Sequence, residues 1–86
     1  MNANPLSNLR SEVAAAARAV YALQLPYPVF ISRYGGMDDP PIARLTALME
    51  KEFDASPPPH TLREVGAIQR QVFQAIADLE ALIGAA

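Results

Sequence analysis

The 86-residue sequence predicts an all-α domain, a small three-helix bundle, and three observations predict it. Apolar residues recur at spacings of three and four in three separate stretches, the period of a helix with one buried stripe. Prolines gather at 26–28 and 57–59, between those stretches, where they stop helices. The one β-prone run, Val29-Phe30-Ile31, is short and has no second run to pair with.

The first helix is expected over residues 6–25. Asn4-Pro5 reads as an N-cap followed by proline at the first helical position. Leu6, Leu9, Val13, Ala16, Val20 and Leu23 form its apolar stripe, with Ala14 to Ala17 offering a close approach to a neighbour. Pro26 and Pro28 end it. Residues 26–37 are expected to form an extended proline/aromatic connector, with Gly35-Gly36 as its turn.

A second helix is expected over 40–54, capped by Asp38 or Asp39 and opened by Pro40-Pro41. Ile42, Leu45, Leu48, Met49 and Phe53 make its buried face. A linker at 55–60 follows. The third helix is expected over 62–83, where Thr61 and Glu64 have the spacing of a capping box and Gly84 stands at the C-terminal cap position. Val65, Ile68, Val72, Ala75, Leu79 and Leu82 define its seam, widened by Leu62, Phe73, Ile76 and Ile83. The chain reads as one domain over 1–86.

Composition narrows the function classes. The chain has no Cys and a single His, so a disulfide scaffold is excluded and a structural zinc site has too few donors. A net charge of −2 gives no field that would gather phosphates. No apolar stretch is long enough to span a bilayer, and residues 1–5 lack the pattern of a secretory signal. A cytoplasmic location is expected.

Candidate chemistry is sparse. His60 sits alone in a proline-rich linker, whereas catalytic triads and metal sites need several convergent groups. Asp38 and Asp39 are accounted for as helix caps. Gly35-Gly36 matches neither a phosphate loop nor a dinucleotide fingerprint. No cofactor, metal, small-molecule substrate or enzymatic activity is expected.

The wide apolar face of the third helix exceeds what one alanine-rich helix and one short helix can cover. The expected function is therefore a non-catalytic protein-interaction module: an accessory subunit, adaptor, inhibitor or assembly factor. Its partner would be another protein or a second copy of itself. The expected contact residues are the connector aromatics Tyr27, Phe30 and Tyr34, with Phe73 and Ile76 from the third helix. Arg63 and Arg70, seven residues apart on one helix face, are added because arginine suits interfaces. The alternative is a small nucleic-acid-associated regulator that uses Arg63 and Arg70. No segment is strongly basic, which counts against it.

Overall fold

Proline opens two of the helices, because the first-turn amides have no intrahelical acceptor and proline gives none up. In the computed structural model, which describes residues 5–53 and 62–84, Pro5 begins α1 (Pro5–Tyr21) and Pro40 begins α3 (Pro40–Phe53). Between them lies α2 (Tyr27–Tyr34), and the longest element, α4 (Leu62–Gly84), follows. No strand is present among the described residues. The all-α class holds, but the bundle has four helices, not three.

The correction concerns the connector. Residues 27–34 are helical where an extended run was expected. Pro28 is tolerated because it lies in the first turn, and the amides of Val29 and Phe30 both donate to Pro26 O. What holds so short a helix is burial: Phe30 and Tyr34, one turn apart on the same face, are almost fully shielded from water. Gly35 ends α2 by donating its amide to Ile31 O at 2.8 Å. A Cβ there would lie 2.6 Å from that same oxygen, and Gly36 follows at φ +83°, a backbone region that favours glycine.

The first helix is shorter than expected, stopping at Tyr21 instead of Leu25. Its end is a Schellman-type cap. The Leu23 amide donates to Val20 O at 3.1 Å and the Gln24 amide to Ala19 O at 2.9 Å. The residue in the left-handed position is Leu23, at φ 60°.

Cross-helix contacts fix the topology. Arg18 meets Glu80 and Tyr21 meets Phe73, so α1 and α4 run antiparallel. Arg44 meets Asp78 and Glu52 meets Gln69, so α3 and α4 do as well. α4 packs on both α1 and α3, while α2 bridges the same two helices from another side. The result is an up-down-up-down bundle. Its core holds Val13, Ala14, Ala17 and Val20 of α1, Phe30 and Tyr34 of α2, Ile42, Leu45 and Met49 of α3, and Ile68, Val72, Ala75, Ile76 and Leu79 of α4. The buried hydroxyl of Thr46 is satisfied within its own helix by Ala43 O, at 3.1 Å.

Polar ties lock the register around this core. Asp39 accepts two hydrogen bonds from Arg10, at 2.7 and 2.9 Å, and its carboxylate also takes the Ile42 amide in an N-cap geometry. Of the two aspartates expected to cap α3, Asp39 is the one that does so. Arg10 hydrogen bonding holds its carboxyl below the usual aspartate range. Tyr34 donates to Glu12 at 2.6 Å and joins α2 to α1. Burial, then this hydrogen bond, pushes the Tyr34 hydroxyl above its ordinary pKa.

Gly66 lies inside α4, where glycine weakens a helix. A Cβ there would meet only Arg70 Nη1 at 3.7 Å, an ordinary contact. Gly66→Ala should therefore stabilise the fold by about 0.5–1 kcal/mol. The urea midpoint would report this, and a lowered midpoint would contradict it. The expected caps Asn4 and Thr61, the 55–60 linker, Pro57–Pro59 and His60 lie outside the described residues.

Candidate interaction surface

Aromatic side chains converge where α1 and α3 finish and α2 starts. α1 supplies Tyr21 from its last turn, α2 its first residue Tyr27, α3 its last residue Phe53, and α4 contributes Phe73. Tyr27 stacks on Phe53 with ring centres 4.5 Å apart and planes 12° from parallel. Tyr21 tilts against Phe53 at 5.7 Å and against Phe73 at 5.0 Å. These separations are those of favourable aromatic pairs. The four rings thus form one continuous cluster.

A polar anchor fixes the cluster. Glu52 accepts from the Tyr21 hydroxyl at 2.7 Å and from Gln69 Nε2 at 2.8 Å, tying α1, α3 and α4 together. Burial, reinforced by Glu52, drives the Tyr21 pKa far above its normal value, so this phenol stays neutral and acts as a donor.

The cluster is not sealed. Phe53 and Phe73 remain 41% and 40% exposed, and Leu23 beside them is 94% exposed. Beside Leu23 and Phe53 opens a groove of about 390 Å³ lined by Val20, Leu23, Gln24, Leu25, Pro26, Tyr27 and Phe53. Among the described residues, that lining carries no charge. A smaller groove of about 260 Å³, lined by Lys51, Glu64, Ala67, Ile68 and Gln71, is mixed in character.

The expected contact residues divide. Tyr27 and Phe73 belong to the cluster and are partly exposed. Phe30, Tyr34 and Ile76 do not face a partner: they are 0%, 4% and 0% exposed and belong to the core. The rings of Phe30 and Tyr34 pack on each other at 5.3 Å, beneath α2. Arg63 and Arg70 are exposed on α4, away from the groove lining. Exposed ion pairs occupy other faces, Arg18 with Glu80 and Arg44 with Asp78.

Tyr21, Leu23 and Phe53 were not singled out as contact residues. The spacing puts Phe53 on the buried face of its helix, Leu6 and Leu23 on the apolar stripe of α1 and Leu82 on the seam of α4, and Leu6 and Leu82 are 40% and 42% exposed. For Leu23 a signal existed. Proline at 26 keeps Leu25 out of the helical region, so the stripe's register cannot extend through the last expected turn. Phe53 closes α3, and three-and-four spacing does not tell where a helix ends.

Among the described residues, no group of three or more His, Asp or Glu side chains is placed to hold a metal ion, and no helix is long and apolar enough to cross a membrane. No family model, curated protein or solved structure matches this chain.

Proposed function

We propose that this chain is a non-catalytic protein-interaction module, an accessory subunit, adaptor, inhibitor or assembly factor. Its contact surface is the aromatic end formed by Tyr27, Phe53 and Phe73, not the connector and helix seam as a whole. The observation that carries this reading is the half-exposed ring cluster beside a groove whose described lining carries no charge. Large aromatics that are fixed in place yet open to water are the side chains that dominate binding energy at protein interfaces.

The chemistry of this end supports the same reading. Among the described residues, Tyr27 and Gln24 are the polar side chains of the groove lining. Acid–base or nucleophilic work needs a positioned pair of reactive groups.

The test is affinity capture from the native host, with mass measurement of the intact complex, for wild type and for Phe73→Asp. Circular dichroism would verify that the variant folds. A defined complex should form with wild type and weaken by about 30-fold in the variant, the loss typical of an aromatic hot spot. An unchanged complex in the folded variant would remove this surface from consideration.

A further inference from the structure

We propose that α2 is a strap that opens as a unit while α1, α3 and α4 stay folded. Opening lifts Tyr27 off Phe53, so the aromatic surface is complete only while the strap is down. That consequence, unlike the opening itself, rests on the interaction-module reading.

The case begins with how α2 is held. Its 8 residues are too few to stay helical alone, and its N-cap, Pro26, makes no side-chain hydrogen bond to the first turn. No acidic residue in that turn offsets the helix dipole. α2 therefore keeps its shape through what it touches. Among the described residues it lies between α1 and α3, each of which packs more extensively on α4. Two side chains, Phe30 and Tyr34, supply its buried face. The Tyr34 hydroxyl, with Arg33 beside it, donates to Glu12 and clasps the end of α2 to α1. Once undocked, the segment loses its helix as well as its contacts, and the chain entropy it regains favours release.

Both flanks are built to turn. Before α2, Leu23 has φ 60°, a left-handed conformation that is strained for leucine and that opening relieves. After α2, Gly36 has φ +83°, and a Cβ there would meet nothing within 4 Å, so no neighbour blocks a change of backbone direction. Leu23, Gln24, Gly35 and Gly36 are all exposed. Hinges are such places, where a few residues at element ends absorb the change in backbone angles.

What remains after release is a tied unit. Arg18–Glu80 and Tyr21–Phe73 join α1 to α4, and Arg44–Asp78 and Glu52–Gln69 join α3 to α4. None of these four ties passes through α2.

Amide hydrogen exchange of the full chain, followed by NMR through a series of low urea concentrations, tests the strap. The amides of residues 30–35 should share one protection factor, at least about ten-fold below that of Val72, Ile76 and Leu79 in α4. Their protection should fall with urea at less than about half the α4 slope, because opening exposes only part of the surface that unfolding exposes. Gly66→Ala supplies a second arm. It stabilises α4 whether the strap is up or down, so it should raise α4 protection about two- to five-fold and leave α2 protection unchanged.

Equal protection and equal urea slopes for α2 and α4 would overturn the strap. So would α2 values graded inward from its ends, which is fraying and not a unit, or a Gly66→Ala rise that α2 shares. The two readings fail separately. If α2 opens alone but Phe73→Asp leaves the captured complex unchanged, the strap stands and the aromatic surface falls. If α2 and α4 exchange together while Phe73→Asp weakens the complex, the surface stands and the strap falls.

Discussion

Phe30→Ala should remove a large share of the chain's stability. Phe30 is fully buried, and truncating a buried phenylalanine to alanine costs about 3–5 kcal/mol. At about 0.05–0.15 kcal/mol per residue, a domain of 86 residues has only about 4–13 kcal/mol to lose. The position makes the upper end of the cost the relevant one. α2 has 8 residues, well under the ~12–15 at which an isolated helix becomes marginal, so it persists through the burial of Phe30 and Tyr34. Without the Phe30 ring, α2 loses its hold and uncovers both α1 and α3. Far-UV circular dichroism and urea titration would register the loss. A cooperative transition within about 1 kcal/mol of wild type would return Phe30 to the list of partner contacts. Phe73, 40% exposed, should tolerate the same truncation far better.

Asp39→Ala should cost about 1–2 kcal/mol at neutral pH through loss of the α3 cap alone, with the tie to Arg10 lost in addition. Asp39→Asn separates the two, because asparagine keeps the cap and gives up the charge. The sign of the pH dependence follows from the depressed carboxyl. Its contribution is complete above the unfolded aspartate value of about 3.9 and disappears as pH falls through the lower folded value. Wild type should therefore lose stability from about pH 4 downward, and the wild-type and alanine curves should converge in acid. Asp78 and Glu80 are lowered by their own hydrogen bonds and are present in both proteins, so they add to each acid limb without affecting the comparison. Urea midpoints across that range supply the test. Curves that stay parallel would mean the Asp39 charge contributes nothing.

Much of the fold was legible in the amino-acid order. The starts of α1 and α3 were written in Pro5 and in Asp39-Pro40, and the seam of α4 was written in its three-and-four spacing. α2 was not read because local and tertiary preferences conflict there. Val29 and Ile31 favour strands, and two prolines suggest an extended chain. Burial of Phe30 and Tyr34 overrides both. The positions of Tyr27, Phe30 and Tyr34 do carry the 3.6-residue period, but over too short a span to stand out.

The candidate site was only half legible, for a different reason. Periodicity tells which side chains share a face but not where a helix ends, and the site consists of helix ends. Tyr27 and Phe73 could be named from residue type. Leu23 and Phe53 required knowing that α1 stops at Tyr21 and that α3 delivers its last residue onto Tyr27.

The even number of antiparallel rods has a practical result for handling the molecule. The first turn of α1 and the last turn of α4 point toward the end that carries the Gly35-Gly36 turn, while the ring cluster lies at the other. Attaching the chain to a bead, a dye or a fusion protein through either of those two turns therefore leaves the aromatic pole facing outward.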